Sequence, residues 1–329
     1  MTLQQALDPE RRAALLGVKL RALVCDAFAA TDAESLPFSG GAAMVVGASA
    51  YVLLDENHER SLGRALAWAQ ARPVDELHVL AEAGTEVLAR RAGLFAFPVS
   101  VWRVEGRALI RAEPAPPAQP EAPPGDVESL AELLRAAGLQ VVAEHGEIVG
   151  ELFGLVVARI VVDDDSRSGV EAEPRLEVGV GRHDREAFAL LHGDLPAAEA
   201  LAAVVSSVAQ HRRPGGDNHP LNRLAGQRWL RDLVRREPSL VGLSSLEPAD
   251  APLRPLGVKD PSAAIGVGCD PSGASVVAAF STGIDLDVVP AAADARLMHA
   301  PGARLLVVLP ERDAHAVTYR LASSLRDPA

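Results

Sequence analysis

Ionisable side chains meet a glycine turn at one place in this sequence, Gly181-Arg182-His183-Asp184-Arg185-Glu186, inside the stretch Leu176 to His192 that reads LEVGVGRHDREAFALLH. An apolar run passing through two glycines into a charged segment predicts a strand that hands over to a helix. The first backbone N–H groups of such a helix have no internal partner and favour an anion. Gly181 lets the backbone come close, while Arg182 and Arg185 add charge-assisted bonds to a phosphate or carboxylate. His183, with Asp184 beside it, is the candidate for acid–base work near neutral pH. The same residues have a plainer reading, in which Asp184 caps the helix, Glu186 complements the dipole and the rest is solvated.

Two further sets could carry chemistry. In Ile284-Asp285-Leu286-Asp287, strand alternation would put Asp285 and Asp287 on one face, with Asp294 and Arg296 on the next helix and Glu311-Arg312-Asp313 at the end of another expected strand. Paired carboxylates of this kind suit a hard divalent cation such as magnesium, which takes oxygen ligands. They also suit ordinary solubilising loops. On the stretch Pro220 to Arg236, Arg228, Arg231 and Arg235 recur at steps of three and four, so they line one helix face, with Arg212 and Arg213 just upstream. That stripe fits a nucleic acid, or else an ion-pair face turned to the protein's own acidic surface or to a protein partner's, and Trp229 being the only aromatic residue on it favours the ion-pair face, internal or partner, over nucleic acid. His211 and His219 stand too isolated to read as metal ligands, and His219 belongs to the helix cap.

Composition narrows the classes. A formal charge of −12 opposes nucleic acid and anionic membrane at long range, so any such contact needs a local basic patch. Cys25 and Cys269 are the only cysteines, which excludes a disulfide framework and a cysteine-based zinc site and fits a reducing cytoplasm. Cys25 reads as a small core residue. No signal-peptide order and no apolar run of membrane-spanning length occurs, so no membrane role is expected. No nucleophile elbow, phosphate loop, zinc spacing, dinucleotide fingerprint or internal repeat stands out.

The elements that must position these groups fall into two layered α/β domains, with mixed α+β sheets as an option. A helix from Pro9 to about Phe28 is followed by strands at Ala42 to Val46 and Ala50 to Leu54, a helix from about Glu59 to Ala71, a strand at Leu77 to Ala81, a helix from Thr85, and a hairpin of Val99 to Val104 with Ala108 to Arg111. This order of hairpin, helix with Ala67-Trp68-Ala69-Gln70, strand, helix and strand resembles the core of PD-(D/E)XK, or restriction-endonuclease-like, proteins. The resemblance implies an acidic residue and an acid-x-Lys strand that bind metal and orient water. The corresponding strand end here reads Asp55-Glu56-Asn57-His58, and neither lysine, Lys19 or Lys259, follows an acid at that spacing. The resemblance therefore implies a scaffold without the chemistry.

Glu113 to Gly125 carries six prolines and reads as an extended, semi-rigid spacer. The domains expected are thus 1–112, the linker 113–125, and 126–329. In the last, Asp126 caps a helix to Ala137, Leu139 to Ala143 is a strand, Glu147 to Phe153 a further helical turn, and Val156 to Val162 a strand whose only charge is Arg159, paired antiparallel with the one that follows. A helix from Pro196 to Gln210 is expected to pack between layers, and another runs from Pro220 to Arg236. A hairpin turns at Asp270-Pro271-Ser272-Gly273, and a helix, a strand and a last helix from Ala314 to Leu325 close the domain. The function these features predict is that of a cytoplasmic, non-catalytic, nuclease-like scaffold or accessory module for nucleic acid or a protein partner. The alternative is a metal-dependent phosphodiester or phosphoryl hydrolase with its site in the second domain.

Overall fold

The computed structural model describes residues 9–30, 34–123, 125, 127–162, 174–181, 184–186, 196–213, 219–257 and 259–329. The chain is α/β with mixed sheets and forms two compact units. The first holds residues 1–117, 286–294 and 314–329, and the second holds 118–285 and 295–313. The chain beyond residue 285 is thus shared between the units, whereas the sequence assigned all of it to the second. Among the described residues no helix is long and apolar enough to cross a membrane.

In the first unit, α1 (Pro9–Phe28) turns Leu20, Leu23 and Val24 onto a six-stranded sheet. The strands lie in chain order: β1 (Glu34–Leu36), β2 (Gly41–Val46), β3 (Ser49–Leu54), β4 (Glu76–Ala81), β5 (Val99–Glu105) and β6 (Ala108–Arg111). β3, β4 and β5 are parallel, and the rest pair antiparallel. Leu53, Val79 and Leu80 are fully buried because parallel strands are covered on both faces. The crossovers are α2 (Leu62–Gln70) and α3 (Thr85–Ala92). α2 starts later than expected because Asn57 is left-handed, at φ 48°, and a 3₁₀ turn occupies His58–Arg60.

In the second unit, α4 (Glu128–Ala136) covers one face of an antiparallel meander, β7 (Gln140–Glu144), β8 (Glu147–Leu152), β9 (Leu155–Val162) and β10 (Pro174–Val178). The helical turn expected at Glu147 to Phe153 is instead β8. Both of its ends are two-residue turns with positive φ at each position, His145 (52°) with Gly146 (70°) and Phe153 (48°) with Gly154 (73°). Such turns match the twist of paired strands and fix the register. β9 and β10 pair antiparallel, as the sequence implied. The capping role expected of Asp126 lies outside the described residues, as do most of the acidic loop before β10 and most of the helix expected after Gly181.

α5 (Ala197–His211) buries only Ala200, Leu201 and Val208, so it lies on the surface rather than between layers. The helix expected from Pro220 is broken. A 3₁₀ turn at Pro220–Arg223 is followed by left-handed Ala225, and α6 (Gly226–Arg236) starts only then. His219 does act as a cap, its Nδ1 accepting from the Leu221 N–H at 3.3 Å. A second mixed sheet follows, β11 (Ser245–Ala249), β12 (Ala264–Cys269), β13 (Ser275–Phe280) and β14 (Arg304–Val308). β11 to β13 form an antiparallel meander, and α7 (Val288–His299) crosses over to β14, parallel to β13. The final helix is α8 (Ala316–Ser323), in the first unit. β1-β2-β3-α2-β4 and β11-β12-β13-α7-β14 therefore share one order and one set of strand directions, a repeat that the residues themselves do not display.

Candidate functional site

Alternation along β8 decides where the site lies. Gly150 faces α4, where a Cβ would come within 2.9 Å of Leu134, and Ile148 shares that face and joins the same core. Glu147, Val149 and Glu151 point the other way. On that side the second unit holds a cavity of about 460 Å³, lined from β7, β8, β9, α6, β12, the segment 249–263, Gly181 and Arg185. Five arginines reach its wall, namely Arg159, Arg185, Arg228, Arg231 and Arg254, beside His145, Glu144 and Glu147.

Two of those arginines are spoken for. Arg228 donates to Glu144 and Glu151, both at 2.5 Å. Arg231 pairs with Glu144, lies 3.5 Å from Glu151 and donates to the Ile265 carbonyl at 3.1 Å. Burial would raise the Glu144 carboxyl, but Arg231 and Arg228 outweigh it and hold it below the ordinary carboxylate range. Burial opposes charge on Arg228 as well, yet Glu144 and Glu151 leave it harder to deprotonate than usual. The arginine stripe is thus an internal ion-pair face. Arg231 is 1% exposed, so Arg228 and Arg231 do not form a surface for nucleic acid or a partner. Arg235 is the most open of the three and lies 3.3 Å from Asp232, one turn back on its own helix. Arg212 is fully buried as well; it donates to the carbonyls of Leu152, Phe153, Leu221 and Leu224 and stacks on Trp229 at 4.5 Å. Burial pushes its pKa down to about 10, against the pull of Glu151 and Asp232.

The other three arginines are held less firmly. Arg159, the lone charge of its strand, faces Glu177 of β10 in register, but Glu177 is taken by Arg175 at 2.8 Å. Among the described residues the nearest anion to Arg159 is Glu147 at 3.3 Å, and its buried Nε has no acceptor. Arg185 touches Glu177 at 3.5 Å, and burial and then the positive charge of Arg159 lower its pKa. These contacts are longer than the roughly 2.7–2.9 Å of a good charge-assisted bond. Arg254 donates to the His145 carbonyl at 2.6 Å and to Glu147 at 3.1 Å. Buried Asp250 holds the His145 N–H at 2.7 Å, and burial pushes the imidazole pKa down, so it faces the cavity uncharged at neutral pH.

Gly181 and Arg185 therefore do meet at an anion-friendly wall, and Asp184 organises it structurally. Its Oδ2 accepts from the Val180 N–H at 2.6 Å, while the Arg185 N–H donates to the Gly181 carbonyl at 3.2 Å. This is a turn-forming role for Asp184, beside the acid–base part expected of it with His183. Arg182 and His183 lie outside the described residues. Arg159, Arg254 and His145 were not singled out as site residues. A lone arginine in an otherwise apolar strand was the available signal for Arg159; the other two are brought in by a turn and a loop with no motif of their own.

The expected magnesium carboxylates behave differently. No strand runs through Ile284 to Asp287, so alternation does not apply, and Asp285 and Asp287 are assigned to different compact units. In the first unit, Asp287 accepts from the Gly63 N–H at 3.1 Å and from Arg91 at 3.0 Å. Burial raises its pKa in spite of Arg91. Asp294, which unlike the half-buried Asp287 is fully buried, accepts from Arg90 at 2.8 and 3.0 Å and from Arg91 at 2.9 Å. Asp287 and Asp294 serve as counter-ions for guanidiniums, not as metal ligands. Asp285 lies 3.5 Å from the Ser281 hydroxyl in the second unit. Among the described residues no group of three or more histidine, cysteine or acidic side chains could hold a metal ion.

The first unit has one further polar chain. Ser49 donates to Glu76 at 2.6 Å, Glu76 lies 3.3 Å from His78 Nε2, and Trp102 Nε1–H donates to His78 Nδ1 at 3.1 Å. Tyr51 stacks on the His78 ring at 4.6 Å, with Phe28 5.0 Å away, so the chain is built into the aromatic core under α1. Cys25 is half-buried beside that core and free, as is Cys269 on β12.

Compared with known protein families, with curated proteins and with solved structures, the chain matches none.

Proposed function

We propose that this chain is a non-catalytic binding module whose second unit takes a small anionic ligand into the arginine-lined cavity, with a cytoplasmic location. The observation that carries this reading is the pair Arg159 and Arg185 at one wall, where burial and then the positive charge of Arg159 oppose charge on Arg185, and where their carboxylate contacts among the described residues are at 3.3 and 3.5 Å. An incoming anion relieves that repulsion. Gly181, at φ 81°, brings backbone beside it without a side chain in the way. The first unit, with the strand and helix order of a PD-(D/E)XK core and no acid-x-Lys strand, acts on this reading as a scaffold.

The hydrolytic alternative loses its motive, because Asp287 is engaged by Arg91 and the Gly63 N–H, so the magnesium pair of Asp285 and Asp287 is not assembled. Nucleic acid loses its surface, because the stripe arginines are used internally. The test is calorimetry and thermal melting at low ionic strength with a panel of small organic phosphates and carboxylates. Binding of at least one member, weakened at least tenfold in Arg185→Gln, is expected. Failure of every anion in the panel to bind would rule the reading out.

A further inference from the structure

We infer that the ligand of this cavity is a phosphomonoester on an aliphatic body, an inference that rests on the anion-binding reading above. Charge count comes first. The buried pair Glu144 and Glu151 is matched by Arg228 and Arg231, and the open pair Arg254 and Glu147 is matched within itself. What remains at the wall is Arg159 and Arg185, with Glu177 diverted to Arg175. Two planar forks whose carboxylate contacts are long and shared with other arginines ask for an anion carrying close to two charges and more than two acceptor oxygens. A phosphomonoester has three terminal oxygens and about −1.5 to −2 charge near neutral pH. A carboxylate has two oxygens and one charge, enough for one fork only.

Glu147 reaches only a terminal nitrogen of Arg159, at 3.3 Å, so no carboxylate among the described residues closes that fork through two nitrogens. A phosphoryl group with three terminal oxygens can serve both guanidiniums at once, which one carboxylate cannot.

The rest of the wall defines the body. Val149, Leu155, Val156, Ala249 and Ile265 present aliphatic surface, and among the described residues the His145 imidazole is the one ring at the wall, with no Phe, Tyr or Trp. A nucleobase would find at most the small His145 imidazole to stack on, whereas a short alkyl chain would be covered on several sides.

The experiment is isothermal titration of the full chain at pH 7.5 with four probes: hexyl phosphate, inorganic phosphate, hexanoate and adenosine monophosphate. Hexyl phosphate is expected to bind at least tenfold tighter than each of the others. Arg159→Gln with Arg185→Gln together should remove its binding. Arg185→Lys, which keeps the charge and loses the fork, should weaken it about tenfold with the melting temperature unchanged, and Arg107→Gln on the first unit should leave it as it was. Hexanoate binding as tightly as hexyl phosphate, or adenosine monophosphate binding tighter, overturns the inference and leaves the anion-binding reading standing. Silence from all four probes overturns the inference; only failure of the broader anion panel removes the reading as well.

Discussion

Asp287 and Asp294 make the same kind of contact with Arg91, yet they should respond differently to removal. Among the described residues Asp294 is the only carboxylate on Arg90 and one of two on Arg91, and all three side chains are buried. Taking away one member of a buried ion cluster leaves charge uncompensated, at about 3–5 kcal/mol. Asp294→Ala should therefore cost that much in chemical denaturation of the first unit. Asp287→Asn keeps an oxygen for the Gly63 N–H and leaves Arg91 with Asp294, while removing an ionisation that burial already opposes. Its cost should stay within about 1 kcal/mol. Equal losses in the two variants would refute this division of labour. Glu144 gives a pH test. Its folded pKa lies below its ordinary value of 4.5, so the stability it contributes is complete above that pH and is lost as pH falls through the folded pKa. Melting of the second unit should decline as pH falls through about 6.5, because His145 protonates more readily in the unfolded chain, and decline again below about 4.5, with only the second fall made shallower by Glu144→Gln.

At the scale of elements, the legible part was whatever local pattern specifies. Buried apolar runs bounded by Gly, Asp and Pro marked β3, β4, β12 and β13, and Asp270 to Gly273 marked their hairpin. β8 was missed because its turns, His145-Gly146 and Phe153-Gly154, put non-glycine residues at positive φ where Asn or Asp would have advertised the turn. The short β1 and β11 carry too few residues to show a period. The arginine spacing on α6 was legible, but its partners were not, since Glu144 and Glu151 lie on strands 77 to 87 residues away in sequence. The turn at Gly154 ties these elements together. At φ 73°, a Cβ there would meet the Arg228 carbonyl carbon at 2.3 Å and the following N at 2.5 Å, all backbone. Gly154→Ala should therefore push α6 away from β8, costing about 2–4 kcal/mol from left-handed strain plus the clash. It should also loosen ligand binding at the cavity that Arg228 helps to wall. A melting temperature within a degree of the parent would show that α6 is not seated on this turn.

For the whole molecule, the proline-rich boundary was legible and the ownership of the tail was not. No periodicity in α7 or α8 says which sheet a helix will cover, because any apolar stripe fits either. The structure gives 286–294 and 314–329 to the first unit. There the Ala96 N–H donates to the Ser324 carbonyl at 2.8 Å, the Arg326 N–H to Leu94 at 2.9 Å, and Phe95 bridges to Leu325. Even the spacer is tied down, since the Ala115 N–H donates to Glu86 at 3.0 Å in the first unit and the Glu121 N–H to Asp250 at 2.9 Å in the second. A domain defined by chain position alone, residues 1–112, would thus lack Asp294, the counter-ion of Arg90 and Arg91, along with the cover over Phe95. Two buried guanidiniums without a carboxylate cost several kcal/mol, comparable to the whole stability of a small domain, about 5–15 kcal/mol. The fragment 1–117 should show no cooperative thermal transition by circular dichroism. Supplying 286–329 on a separate chain should restore one, since those residues carry both missing contributions. A fragment 1–117 that melts cooperatively by itself would mean that the returning tail decorates the first unit instead of completing it.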